Sequence, residues 1–369
     1  MKKLIRISMI AAVIAIISSC HKQEIPSDNT GGAIPKSILE KIKAKGFSTF
    51  GVQRLDKGYI VEGDIFLSEK SLDETPNVTT LAVAKTEQYR TNNCVLGLPR
   101  VITISVSNLS QSFIDATDIA INRYNSLGLR ISFQRVSSGG NINVIGFYKL
   151  PNPDNTITLG SAGFPDNSGN PYNEIKLNTY YYNNSFSVNL LASTIQHEIG
   201  HTIGLRHTDY TTRGSCPYSN QYDEGQEEEG AIHIPGTPYT TDAESFMLAC
   251  SNNTDRTFNP NDVYALEYLY GIPRNVTGEV SSDQSGTTSI YFYNASNNDL
   301  VYSFGFGGSG SFAQNTILPN GIYNIKIEHR SSKPTFSLQV TSRVPIYNIS
   351  NAVTINNVEL QGAINFKIF

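Results

Sequence analysis

Residues 197–207 read HEIGHTIGLRH, a stretch that holds three of the chain's six histidines, with Glu198 directly after the first. Upstream, Val188, Leu191, Ala192, Ile195 and Ile199 recur at helical spacing, so the motif closes a helix with one apolar face. Positions i and i+4 share a helix face, which lets His197 and His201 offer ring nitrogens to one metal ion. Gly204 can take the left-handed conformation that ends a helix and reverses the chain, bringing His207 back as a third ligand. Three neutral imidazoles around zinc leave a fourth position for water, the arrangement of a catalytic rather than a structural site. Zinc lowers the pKa of such a water to about 7, and Glu198 stands where it can take the proton and pass it to a leaving amine. A histidine cluster without metal is the alternative. It leaves unexplained why a glutamate and a helix-ending glycine fall at these spacings.

Before this helix, RVITISV from Arg100 alternates like a strand, and SQSFIDATDIAINRYNSL puts Phe113, Ala116, Ala120, Tyr124 and Leu127 on one helical face, with Gly128 as its stop. RISFQRV, NINVIGFY and NEIKLNTYYY follow as strands between turns rich in Gly, Pro and Asn. The expected order is strand, helix, three strands, helix. Residues 208–258 show little periodicity, and a loop of that length inside a domain is usually functional. Asn259 then caps a helix with Pro260 in its first turn and Gly271 as its stop. After Pro273, segments such as SIYFYNA, LVYSFGF, YNIKIEHR, TFSLQVTS and INFKIF recur at intervals that suit a β-sandwich, whose aromatics read as core rather than as a glycan-binding face. Ahead of Arg100, a short helical pattern from Ile38 to Lys45 and the β-type stretch GYIVEGDIFLS make a small N-terminal region.

The chain opens MKKLIRISMIAAVIAIISSC. A basic start, an apolar run from Ile7 to Ile17 too short to span a bilayer, and small residues before a cysteine make an export signal. ISSC resembles the lipobox of bacterial lipoproteins, which makes Cys20 the acylated first residue; an ordinary cleaved signal or an uncleaved anchor are the alternatives. Residues 21–35 are polar and rich in Pro and Gly, as a tether is. Of the remaining cysteines, Cys94, Cys216 and Cys250, at most two can pair; Cys216 with Cys250 is the expected bridge and three free buried thiols the alternative. At 369 residues, with 39% hydrophobic and 16% charged residues, the composition is that of a soluble globular protein of two or three domains. Its formal charge of −4, with no basic stripe, argues against nucleic acid as a partner.

HEIGHTIGLRH matches the metzincin pattern HExxHxxGxxH. Together with TDY after it and GYIVEGDI and YRTNNCVLGLPR upstream, it resembles the dual-action HEIGH metallopeptidases of bacteria over roughly residues 37–272. The resemblance implies a secreted or anchored zinc endopeptidase, with ligands His197, His201 and His207, base Glu198, and a methionine turn beneath the metal. Beyond the leader Met247, in SFMLAC, is the sole methionine. Some metzincins place a tyrosine two residues later; here Ala249 stands there, which leaves Tyr210 or another residue to substitute. The resemblance also makes NEIKLN the sheet edge bordering the cleft, to which an extended peptide could add.

Other signals are weaker. Cys94 lies where a thiolate could ligate zinc and hold the enzyme latent, but its surroundings match no known switch motif, and a buried thiol is expected. Tyr222–Gly230 is acidic and PDNSGNPYNE is oxygen-rich; either could hold calcium, but neither has the ligand spacing of a defined loop. His233 reads as a loop histidine. The expectation is therefore an α+β protein: a lipoprotein-type signal peptide at 1–20, a tether and small N-terminal region, a candidate propeptide, at 21–92, a metzincin-like peptidase domain at 93–274 (a twisted mixed sheet with active-site helix, methionine turn and C-terminal helix), and a β-sandwich accessory domain at 275–369. It is expected to cleave extracellular or envelope polypeptides with one zinc ion, as a monomer touching the membrane only through its N-terminal lipid, in the cell envelope with the outer membrane favoured. The rival functions are an anchored adhesion or glycan-binding protein that no longer cleaves, and a zinc esterase or amidase.

Overall fold

The structure is a computed structural model and describes residues 33–74, 88–152, 155–183, 186–217, 231–240 and 242–369. Cys20 and the acidic stretch Tyr222–Gly230 lie outside the described residues. The N-terminal region contains α1 (Lys36–Ala44), β1 (Gln53–Leu55), β2 (Gly58–Val61), β3 (Ile65–Ser68) and the single turn α2 (Glu69–Asp73). Ile42, Phe47, Tyr59, Val61, Ile65, Leu67 and Leu72 form a small apolar core of its own. Between β2 and β3, Glu62 (φ 51°) and Gly63 (φ 89°) carry the chain through the left-handed region, a sharp turn that glycine takes freely and glutamate does not.

The next elements are β4 (Tyr89–Arg90), β5 (Arg100–Val106), α3 (Gln111–Asn125), β6 (Ile131–Val136), β7 (Ile142–Phe147), β8 (Gly160–Ala162), β9 (Glu174–Asn178) and α4 (Val188–Thr202). Then come β10 (Leu205–Arg206), β11 (Ile232–His233) and α5 (Pro260–Tyr270). One sheet runs in the order β1-β2-β3-β8-β9-β7-β5-β6. Strands β5, β6, β7 and β9 are mutually parallel, whereas β8 is antiparallel to β9. Their inward residues, Ile102, Ile104, Ile131, Phe133, Ile142, Val144, Ile175 and Leu177, are buried against the apolar faces of α3 and α4. Four strands, not three, separate α3 from α4. The added one, β8, is three residues of GSA, too short and too small to alternate visibly. Its insertion moves NEIKLN inward: β9 lies between β8 and β7, and β8 is the strand nearest the motif helix, with β3 of the N-terminal region paired to its outer side.

The helix α5 begins as its sequence indicates, with a reciprocal capping box between Asn259 and Asp262. Beyond it lie β12 (Arg274–Val280), β13 (Gly286–Asn294), β14 (Leu300–Gly308), β15 (Gly310–Thr316), β16 (Gly321–Ser331), β17 (Phe336–Val340), β18 (Ile346–Ile349), β19 (Ala352–Leu360) and β20 (Ile364–Ile368). They form two sheets, β15-β12-β20-β17-β18 and β14-β13-β16-β19, around one apolar core that includes Ile290, Phe292, Tyr323, Ile325 and Phe366. Helix α5 joins the two halves. Tyr264 and Tyr268 pack on that second core, and the Glu267 carboxylate accepts from the Asn320 backbone and side-chain amides, both at 2.7 Å.

Candidate metal centre

Helix α4 carries His197 and His201 one turn apart, with ring centroids 4.7 Å from each other. At its end Gly204 adopts φ 110°, and a Cβ there would stand 2.7 Å from the Asn93 carbonyl oxygen. Only glycine allows that reversal. The chain leaves it as β10, paired antiparallel with β4, and the Thr208 amide donates to the Met247 carbonyl at 3.0 Å. Those bonds fix His207 opposite the helix, its ring centroid 4.8 Å from that of His201 and 5.3 Å from that of His197.

The ring orientations follow from backbone carbonyls. His197 Nδ1 donates to Phe246 O at 2.9 Å and His201 Nδ1 to Leu205 O at 2.8 Å, so in both rings Nε2 keeps its lone pair. His201 Nε2 and His207 Nε2 are 3.2 Å apart. A fourth group joins them from the N-terminal region. The Asp64 carboxylate lies 3.2 Å from His207 Nε2 and 3.4 Å from His197 Nε2, and one ligand atom from each of Asp64, His197, His201 and His207 lies within 4.8 Å of the others.

Burial drives His201 well below the usual histidine range, helped by the neighbouring His197 and His207, so its imidazole is neutral, the form that ligates. Burial works to raise Asp64, but the facing His207, His197 and His201 rings outweigh it and hold the carboxyl well below the ordinary value. Glu198 moves the other way: burial, with the Asp64 charge adding to it, holds its carboxyl well above normal. Its room comes from Gly160 of β8, where a Cβ would stand 2.5 Å from Glu198 Oε1. Among the described residues, His197 Nε2, Asp64 Oδ1 and Glu198 Oε2 are buried without a hydrogen-bond partner. Converging lone pairs beside an ionised carboxylate that keeps one unpartnered buried oxygen suit a cation among them, and imidazole with carboxylate is a donor set that zinc takes.

Beneath the cluster, Met247 is fully buried against Gly200 of α4, where a Cβ would stand 2.5 Å from its Sδ. Asp262 shapes the turn that carries Met247. Its carboxylate accepts from Ser245 Oγ at 2.7 Å, the Phe246 amide at 3.2 Å, the Asn259 amide at 3.0 Å and Gln88 Nε2 at 2.6 Å. Asp209 ties the segment after His207 to the one after Met247, accepting from Ser215 and from the Ala249 amide, and a disulfide joins Cys216 to Cys250 beside it.

A family model for dual-action HEIGH metallopeptidases matches residues 59–270. The chain belongs to that family. It is a zinc metallopeptidase. No curated protein matches it. Among solved structures it is similar to myroilysin, in two structures at 15% identity: one with TM-score 0.29, covering 49% of this chain and 98% of that one, the other with TM-score 0.31, covering 56% and 98%. It is also similar to high choriolytic enzyme 1, a hatching enzyme zinc-protease of the medaka fish Oryzias latipes, at 16% identity and TM-score 0.29, covering 45% of this chain and 87% of that one. These scores are too low to bear on the peptidase's site.

Other residues singled out in the sequence lie apart from the four ligand atoms. Cys94 sits half-buried below Gly204, and burial pushes its thiol up against the opposing pull of Arg90; the N-terminal group that reaches the cluster is Asp64 instead. His233 bonds Thr237 Oγ1 at 2.9 Å. The Tyr210 ring packs edge-on against Tyr89 and beneath the Arg206 guanidinium. In PDNSGNPYNE, the Asp166 carboxylate accepts from the amides of Ser168 and Asn170 within its own turn. Sequence reading did not find Asp64, Glu62, Gly160, Gly200, Asp209 or Asp262 as site residues. For Asp64 the one available signal was a charged EGD set between two apolar strands, which reads equally as a turn.

Proposed function

We propose that this peptidase is an endopeptidase, with His197, His201 and His207 holding one zinc ion and Glu198 carrying the proton. The convergence of three inward-facing imidazole nitrogens beside a buried glutamate supports it above all. Zinc bound there supplies Lewis acidity, polarising a carbonyl oxygen and acidifying water. The chain's own residues do the rest. The carbonyls of Phe246 and Leu205 lock two of the rings, and Met247 fills the space under the helix. Glu198, confined between Gly160 and the histidines, takes a proton from water and delivers it to the departing amine nitrogen. Its raised affinity for protons suits a group that must hold one between those two events.

The substrates are extended polypeptides outside the cytosol, reached by a chain exported through residues 1–20 and anchored at Cys20 in the envelope. The two sheets of residues 275–369 act as a β-sandwich accessory domain, and the peptidase domain begins upstream of β4, because Tyr89 and Arg90 pair with strands on both sides of them. The test is zinc content together with digestion of a random peptide pool by the purified chain, with and without a zinc chelator. One zinc per chain and cleavage that the chelator stops are expected. Zinc-loaded protein that turns over small esters and leaves the peptides whole would overturn the reading.

A further inference from the structure

Asp262 on α5 is wholly buried, and among the described residues the four partners of its carboxylate are all donors. Oδ1 takes the Ser245 hydroxyl at 2.7 Å and Gln88 Nε2 at 2.6 Å; Oδ2 takes the amides of Asn259 at 3.0 Å and Phe246 at 3.2 Å. Ser245 Oγ in turn accepts from the Met247 amide at 3.1 Å and from Gln88 Nε2 at 3.2 Å. Two donors and one carboxylate around a hydroxyl leave its proton a single direction, toward Asp262.

The Met247 amide and the Phe246 carbonyl are the two ends of one peptide unit, and that carbonyl is the acceptor for His197 Nδ1 at 2.9 Å. The bonds therefore run head to tail: His197 Nδ1–H to Phe246 O, Met247 N–H to Ser245 Oγ, Ser245 O–H to Asp262 Oδ1. Bonds aligned in this way strengthen one another by about 10–30% per bond inside a protein. A histidine that ligates metal commonly gives its second ring proton to a carboxylate or a carbonyl, which fixes the ring and makes the other nitrogen a better donor. Here the carboxylate stands off, and a serine and a peptide unit span the distance. His201 is held differently: its Nδ1 partner, Leu205 O, belongs to β10, which pairs with β4.

We propose that Asp262 and Ser245 are positioning residues for His197: the carboxylate's charge acts through the Ser245 hydroxyl and the 246–247 peptide unit, strengthening the bond at Nδ1 and the donor power of Nε2 toward zinc. The inference rests on the metallopeptidase reading and deepens it. It makes His197 the ligand whose strength is set from α5, and gives the turn that carries Met247 a polar role beside its packing one.

The test compares the zinc-loaded full chain with Ser245→Ala and the isosteric Asp262→Asn, each with its histidines isotope-labelled for nuclear magnetic resonance. The Nδ1–H resonance of His197 should move upfield in both variants while that of His201 stays. Zinc affinity, measured against a competing chelator, should fall about tenfold to a hundredfold in each. The double variant should fall little further than either alone, since both changes cut one line of bonds. The Thr208 amide, bonded to Met247 O at 3.0 Å, reports on the turn itself, and its protection from hydrogen exchange should be unchanged. Ser245→Ala leaves the other three donors on Asp262 in place and carries the test if Asp262→Asn fails to fold. An unmoved His197 resonance with undiminished zinc affinity would overturn the proposal and leave the peptidase reading standing. Loss of Thr208 protection along with the His197 shift would also overturn it, in favour of a purely structural hold on the turn. A wild-type chain that takes up no zinc would instead remove the metallopeptidase reading, and this proposal with it.

Discussion

The two halves of the molecule that meet at α5 are held together by opposite means. The C-terminal sheets enclose Ile290, Phe292, Tyr323, Ile325 and Phe366, each with no exposed surface, on strands whose outward residues are half-buried or exposed. The metal half has an apolar core too, but around its cluster the buried groups are polar: Glu62, Gln88, Gln196, Arg206, Asp209, Ser245 and Asp262. Apolar area stabilises without regard to direction, whereas a buried hydrogen bond contributes little net free energy and specifies where atoms stand. Both halves thus draw stability from apolar burial, and the metal half adds buried polar bonds that fix where its ligand atoms stand.

Changes in the two halves should accordingly differ in kind. Glu198→Gln should lower kcat/KM on peptides by about 10² to 10⁴ while zinc content and denaturation midpoint stay unchanged. A retained rate would remove the proton-carrying role. Phe292→Ala should cost about 3–5 kcal/mol of stability in denaturant melts and leave zinc affinity as it was. Loss of zinc in step with unfolding of the C-terminal sheets would show that the halves are one cooperative unit.

Asp262 gives a pH-dependent contrast. Burial pushes its carboxyl up to about 6 in spite of its four donors. In the unfolded chain it titrates near 4, so between about pH 4 and pH 6 the folded state holds the proton more tightly, and stability falls as pH rises through that window, by on the order of 2–3 kcal/mol. Above about pH 6 the loss is complete and constant. Asp262→Asn should abolish this part of the slope, read as the difference between the two proteins' melts at pH 4 and pH 7. The smallest effect is expected from Gly200→Ala, whose methyl group must displace Met247, at about 1–3 kcal/mol with a measurable drop in zinc affinity.

The motif helix was legible because its information is local: the spacing of His197 and His201, the left-handed Gly204 and the return of His207 all lie within one stretch. The same holds for α5, whose cap and stop are its neighbours. Asp64 was not legible, since its place beside His207 depends on a chain segment more than a hundred residues away. Asp262 could be seen as the acidic member of a helix cap, but not as the acceptor for Gln88 and Ser245. Gly160 and Gly200 are required by the bulk of Glu198 and Met247 on other elements, a constraint no periodicity records. The three residues of β8 show how a strand too short to alternate can reorder a sheet edge. In the C-terminal half, GSFAQNT of β15 and AVTINNVEL of β19 expose much of their length, which weakens the alternation that marks β13 and β16.

The bond from Gln88 to Asp262 sets a limit on how far the chain can be shortened from its N-terminal side. Gln88 Nε2 reaches both Asp262 and Ser245, and the next two residues pair with β10 and β11. A cut upstream of Gln88 would sever the segment that carries Asp64 and spare the bonds that hold the turn beneath the cluster. A cut a few residues further on would unstitch that turn and the strand leading to His207, so Gln88 marks how short the N-terminal side can become before the site loses its ties.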